Sequence, residues 1–477
     1  MKNRRITSTL LLLAMLAASS SCDESTPAAD DTTADDIIVG DTTPEVTTEA
    51  KPTLPEADYN GYEFTFLNGN TSYTYASVVS EEQNGETMND AIYHRNTKVE
   101  ERYNITIREI ITKEPQADYT QAVTAGDDSF DLALLRMEWA FPVVLDNSVV
   151  SWDNIPHLNL DEAWWVQGSI DSMSLMNKVY FAVSQFDTSH FESVRAFVYN
   201  KDMAEDFKLD SPYELVNSGK WTLDAFYKMG TAVAADLNSD GAWTEADRYG
   251  VTSYNNVLCN TLMCGVGSIL SIGKDKDDAP YFDLDKEPHM SRLLRVAELF
   301  AEQNGFADRM NKQEMFKNGT ALFRCCLFSE VAALRDMEDD FGILPAPKLD
   351  ESQKEYINLG GSPFFMVVPV TADNLDRTGA VMEALAYDSM DLIDTAYYDI
   401  VLKGKASRDE ESIEMLDLIC STLYYYHPLA NSYLNAPLAN DYIWNASTDF
   451  ASYFASVKEQ INKDIETAMD TFSANNK

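Results

Sequence analysis

Tyr62-Glu63-Phe64-Thr65-Phe66-Leu67 alternates apolar and polar side chains, the period of a half-buried strand, and Asn68-Gly69-Asn70 supplies the turn that closes it. Just beyond, residues 89–103 carry apolar side chains at helical spacing opposite a charged face, and residues 105–111 alternate again as a strand. Phe130-Asp131-Leu132-Ala133-Leu134-Leu135 is then a nearly continuous apolar run. A strand covered on both faces of a parallel sheet reads this way. Strand, helix, strand and buried strand in this rhythm predict an α/β lobe. The second half is more helical, with amphipathic stretches at 290–304, 375–386 and 452–472.

Working outward, residues 1–22 read MKNRRITSTLLLLAMLAASSSC: basic Lys2, Arg4 and Arg5, an apolar run, small residues, then Cys22. This is an export signal, too short to span a bilayer, which takes about 20 apolar residues. Small residues before a cysteine match a bacterial lipobox, with Cys22 as the acylated new N-terminus; Ser19 stands where an aliphatic residue is usual. Residues 23–58 are rich in Thr, Asp, Glu and Pro, and poor in large apolar side chains. Such a stretch predicts a disordered acidic tether, extended by its own charge. The expected location is therefore the extracellular face of a bacterial cytoplasmic membrane, held by a lipid anchor.

The body from Tyr59 onward, roughly 420 residues, implies two domains or one fold of two lobes. Hydrophobic residues at 45% suffice for real cores, and 78 acidic against 36 basic residues give a formal charge of −42. That balance argues against nucleic acid, whose phosphates require a basic surface. At long range it favours a neutral or cationic ligand over an anionic one. After Cys22 five cysteines remain (Cys259, Cys264, Cys325, Cys326, Cys420), without zinc-type spacing. They read as buried hydrophobes, with a Cys259–Cys264 bridge as the alternative.

Several segments in order carry a family likeness. The opening strand, Asn89-Asp90-Ala91-Ile92-Tyr93-His94-Arg95-Asn96 running to Val99-Glu100-Glu101-Arg102-Tyr103-Asn104, and Phe130-Asp131-Leu132 come first. Asp161-Glu162-Ala163-Trp164-Trp165, Val198-Tyr199-Asn200-Lys201 and Gly219-Lys220-Trp221-Thr222-Leu223-Asp224 follow. Phe341-Gly342-Ile343-Leu344-Pro345-Ala346-Pro347-Lys348 with Gln353 and Tyr356, then Met382-Glu383-Ala384-Leu385, Tyr397-Tyr398 and Leu402-Lys403-Gly404-Lys405 with Arg408-Asp409, complete the set. In order and spacing they resemble the extracellular solute-binding proteins, family 1, of carbohydrate ABC importers. The resemblance implies a two-lobe periplasmic-binding-protein-like α/β fold, class II type, with a hinge and an interlobe ligand cleft. It places the N-terminal lobe at 59–190 plus about 341–385, and the C-terminal lobe at 191–340 plus about 386–477. It further implies a monomer that captures a sugar or oligosaccharide and delivers it to permease subunits. A surface glycan sensor or scavenger, and a binder of a non-sugar solute such as a peptide or polyamine, are the alternatives.

One loop suggests a cofactor. Asp236, Asn238 and Asp240 occupy positions 1, 3 and 5, Gly241 position 6, Ala242 (through its carbonyl) 7, Thr244 9 and Asp247 12 of a Ca²⁺-loop pattern. Asp247 is one methylene shorter than the usual Glu. A structural Ca²⁺ is the reading; an acidic turn after a helix is the alternative.

Sugar sites stack aromatic rings on C–H faces and direct polar side chains at hydroxyls. Arg136, Glu138 and Trp139 follow the buried strand, where ligands of parallel sheets gather; the alternative has Trp139 in the core and Arg136 paired with Glu138. Further candidates are Asn70 and Tyr73 after the first strand, Gln185 and Asp187, Arg324, and Trp444. Trp164, Trp165, Trp221 and the Tyr424-Tyr425-Tyr426 run read as packing. No hydrolase, metalloprotease or phosphate-loop motif occurs, so an enzyme is not expected.

Overall fold

The computed structural model describes residues 51–474 apart from 70–77, 187, 269–271, 311, 313, 428–433 and 448. Its strands, in chain order, are β1 (Tyr62–Gly69), β2 (Ile105–Thr112), β3 (Leu132–Arg136), β4 (Phe181–Ala182), β5 (Arg195–Asn200) and β6 (Tyr249–Thr252). They continue as β7 (Ile272–Lys274), β8 (Pro280–Phe282), β9 (Ala321–Leu327), β10 (Phe341–Leu344), β11 (Asn358–Leu359), β12 (Phe364–Val367) and β13 (Leu423–Tyr424). Two sheets organise the molecule: one in the order β2-β1-β3-β12-β4, the other in the order β10-β5-β9-β6.

In the first sheet β1 runs parallel to β2 and β3, while β12 runs antiparallel to β3 and β4. The alternation read in the sequence places Phe64 and Phe66 in the core, each fully buried. Helix Thr87–Tyr103 crosses from β1 to β2; the Glu86 side chain accepts from Asn89 N at 2.8 Å, and Asn104 ends the helix in the left-handed region at φ 50°. On this helix Arg95 is fully buried, its guanidinium 4.4 Å from the Phe186 ring centroid and donating to Val78 O and Phe186 O. The likeness at His94-Arg95-Asn96 thus corresponds to a buried tie between the helix and the segment after β4.

Trp164 and Trp165 are core residues, as the sequence predicts. Each is 1% exposed, and both indole N–H groups donate to Glu383 at 3.0 Å. Glu383 lies on helix Leu375–Ser389, which packs on helix Thr87–Tyr103.

In the second sheet β5 is antiparallel to β9 and β10, and β6 is parallel to β9. Trp221 is fully buried against Phe226 and Phe323. Cys259, Cys264, Cys325 and Cys326 are buried and unbridged, and Cys420 is half-buried and unbridged.

Among the described residues the chain passes between the lobes three times: outward from β4 to β5, back from β10 to β12, and outward again through residues 390–406. Three expected boundaries are corrected. The strand at 341–344 belongs to the second sheet, so the return falls between Leu344 and Phe364, because Phe341–Leu344 pairs with Phe197–Asn200. Packing begins before Tyr59, since Leu54 and Ala57 are half-buried against the first lobe. Residues 390–406 are not confined to the second lobe: Ile393 and Ala396 pack on Ala91 and Ile92, whereas Tyr397 and Leu402 join the second lobe's core. One apolar cluster runs through the junction, from Ala133 and Leu135 to Phe197 and Leu258.

Candidate ligand site

Strand direction decides which residues face the junction. The parallel strands β1, β2 and β3 all end on the edge where β12 begins, Phe364 lying opposite Arg136. β4 ends there too, carrying the chain on to Gln185. On the second sheet, the edge bearing the start of β5 and the ends of β6, β9 and β10 meets the same crossings, with Arg195 opposite Leu327. The first two crossings are tied together: Ser193 Oγ donates to Gly360 O at 2.7 Å, and Phe364 N donates to Ser189 Oγ at 3.0 Å. β11 on the return crossing pairs with β13, which leads into Tyr425 and Tyr426.

Some of the buried polar atoms that lack partners lie at this junction. Arg195 Nε and Nη1, Tyr426 Oη and Gln185 Oε1 are buried and make no hydrogen bond among the described residues. Protein interiors satisfy most buried polar groups, so such atoms mark a place where a ligand or water completes the network. Arg136 Nε stands 2.9 Å from Glu138 Oε1, an ion pair without a hydrogen bond's alignment. Burial holds the Arg195 guanidinium below its ordinary pKa, and Arg136 acts in the same direction as a like charge; Tyr426 opposes both. Burial pushes the Tyr426 phenol up, so it is a neutral hydroxyl across the physiological range.

Arg136, Glu138, Trp139 and Gln185 share this edge of the first lobe. Trp139 is half-buried, near Gly69, and forms one wall of a cavity of about 840 Å³ along helix Pro115–Ala125, with Lys113, Thr120, Gln121 and Thr124. Two candidates fall elsewhere. Arg324 is 8% exposed and donates to Glu330 at 2.6 Å, because its strand position turns it into the second lobe's interior. Trp444 packs against the Phe300 ring, 5.3 Å between centroids, and against the Arg309 guanidinium at 4.7 Å. Asn70, Tyr73, Asp187 and Cys22 lie outside the described residues.

Arg195 and Tyr254 escaped the sequence reading, which assigned Tyr426 to packing. Tyr254 is 51% exposed, caps helix Asn255–Gly265, and follows β6 on the junction edge. A tyrosine directly after an apolar strand was the available signal.

The sequence matches no family model, and no curated protein matches it. Its structure is similar to an extracellular solute-binding protein from Staphylococcus aureus in complex with maltose, at TM-score 0.56 and 10% identity over 87% of this chain and 97% of that one. A cyclo/maltodextrin-binding protein complexed with maltotetraose gives TM-score 0.55 and 11% identity over 87% and 97%. An ABC substrate-binding protein from Listeria monocytogenes in complex with cycloalternan gives 0.52 and 11% over 85% and 99%. The fold is that of the two-lobed ABC solute-binding proteins.

In this solute-binding fold the acidic loop sits at the opposite edge of the second sheet, before β6 begins, away from the junction. Its turns are closed by carboxylates that accept from loop amides. Asp236 accepts from Ser239 N and Gly241 N at 2.7 and 2.8 Å, Asp240 from Ala242 N at 2.8 Å, and Gly241 has φ +79°. Asp247 accepts from Leu237 N and Thr244 N at 2.9 and 2.7 Å, bonds that hold its carboxyl below the usual range. Among the described residues no group of three or more His, Cys, Asp and Glu side chains is placed to hold a metal ion. The carboxylates here spend their oxygens on loop amides. Nor is any helix among the described residues long and apolar enough to cross a membrane.

Proposed function

We propose that this chain is a lipid-anchored extracellular receptor that captures a sugar or oligosaccharide between its lobes and delivers it to an ABC importer. The observation that carries this reading is the set of unpartnered buried polar atoms, Arg195 Nε and Nη1, Tyr426 Oη and Gln185 Oε1, where two sheets meet. Solved proteins of this fold hold maltose, maltotetraose or cycloalternan, which favours a saccharide as the ligand class. Exposed Tyr254 and half-buried Trp139 supply rings of the kind that stack on sugar faces. A solute gripped by both lobes shifts the population toward a closed form, which gives a permease something to recognise. The signal at residues 1–22 supports export, and Cys22 supports anchoring. The spacing of the 236–247 loop supports a bound Ca²⁺ that stiffens the second lobe without touching the ligand.

A thermal-shift screen of the full chain against mono- and oligosaccharides, with amino acids and polyamines as controls, tests the reading. Ligand at a hundred times its dissociation constant stabilises by about 2.7 kcal/mol. With an unfolding entropy of about 2.1 cal/mol/K per residue over roughly 420 residues, that raises Tm by about 3 °C. A shift with controls alone refutes the sugar.

A further inference from the structure

In a receptor that binds its solute between the lobes, the junction contains a cation that a neutral sugar does not require. Arg195 opens β5 where the outward crossing enters the second sheet, and its Nε and Nη1 are buried without a hydrogen-bond partner among the described residues. Among those residues it also enters no ion pair. The groups whose fields reach it most strongly are Tyr426, Cys325 and Cys264, all kept neutral by burial, and Arg136, which carries the same charge. Among the described residues Arg136 pairs with Glu138, whose side chain is 41% exposed and so open to water. Two guanidinium groups, Arg136 at the end of β3 and Arg195 at the start of β5, therefore stand on the two edges that face the junction, and among the described residues no buried acid pairs with either. Such an arrangement is costly unless an anion arrives.

We propose, resting on the receptor function, that Arg195, with Arg136 on the facing edge, receives an anionic substituent of the ligand, which makes the solute an acidic saccharide, bearing a carboxylate or a sulfate. Guanidinium groups present planar forks of N–H donors that match either oxyanion bidentately. The Tyr426 hydroxyl adds a third donor from the second lobe's side of the junction. The chain's formal charge of −42 repels such a ligand at a distance. That repulsion is screened beyond about 8 Å at physiological ionic strength, so the contact pair decides binding.

The test is calorimetric titration of the full chain with paired glycans: digalacturonate beside galactobiose, and sulfated galactobiose beside the unsulfated sugar. The expected result is that an acidic member binds roughly 10- to 100-fold more tightly than its neutral counterpart. Arg195→Gln removes that margin by weakening the acidic member far more than the neutral one, and Arg195→Lys keeps part of it. The carboxylate and sulfate arms identify the group. Should Arg195→Gln fail to fold, Arg136→Gln must show the same selective loss. Equal affinity for charged and neutral members overturns the acidic group and leaves the sugar receptor standing; a response only to peptide or polyamine overturns both. Asp187 supplies the remaining control. Equal destabilisation by Asp187→Asn and Arg195→Gln, with no further loss in the double variant, would assign Arg195 a counter-ion within its own chain and overturn the proposal.

Discussion

Replacing Gly361 with alanine separates the first two crossings where they touch. Gly361 has φ +73°, and a Cβ built on it would lie 2.0 Å from Ser193 O and 2.8 Å from Ser193 C. Both neighbours are backbone, so no side chain can rotate away. The left-handed conformation costs a non-glycine residue about 1–2 kcal/mol. Forcing the segments apart adds about 1–3 kcal/mol, the usual scale of overpacking. Against an unfolding entropy of about 0.9 kcal/mol/K, from about 2.1 cal/mol/K per residue, Gly361→Ala should lower Tm by about 2–6 °C. Gly126→Ala isolates the conformational part: φ is +70°, and nothing lies within 4 Å of the added carbon. Its loss should stay near 1 °C, since stiffening the unfolded chain offsets part of the strain. Scanning calorimetry of both variants reads the difference. Ligand titration of Gly361→Ala should also show weakened binding, because Arg195 is two residues from the displaced Ser193. Equal Tm losses in the two variants would refute the claim that the crossings bear on each other at this point.

Burial raises the pKa of Glu192, whose Oε1 accepts from Thr188 Oγ1 at 2.8 Å. Its contribution to stability is therefore full below the unfolded carboxyl pKa and lost as pH rises through the folded value; Glu192→Gln should be more stable than wild type at pH 8, with the advantage vanishing toward pH 4 in paired melts. If the 236–247 loop holds Ca²⁺, a chelator lowers Tm and Asp236→Ala abolishes that sensitivity, whereas identical melts with and without chelator exclude the ion. Cys22→Ser should move the protein from the membrane fraction to the soluble fraction, and persistent membrane association of the variant would exclude the lipid anchor.

The elements were legible because their signals are local. The alternation at 62–67 became β1, the helical spacing at 89–103 became helix Thr87–Tyr103, and the apolar run at 130–135 became β3. Arg136, Glu138, Trp139 and Gln185 were legible as site candidates because the ends of parallel strands gather on one edge. Arg324 and Trp444, which the structure pairs with Glu330 and with Phe300 and Arg309, carry no such signal in the sequence. A charged or aromatic side chain looks the same in sequence whether it meets a partner such as Glu330 or Phe300, or faces a cleft.

The α/β character and the order of the elements are written in the periodicity and composition of contiguous residues, and so could be read without the fold. That Phe341–Leu344 pairs with β5, that Gly361 lies against Ser193, and that Arg195 Nε and Nη1 are buried without a partner among the described residues emerges only from the assembled fold. Those facts depend on groups far apart along the chain, and whether a buried cation has an acid beside it is a property of the assembled surroundings.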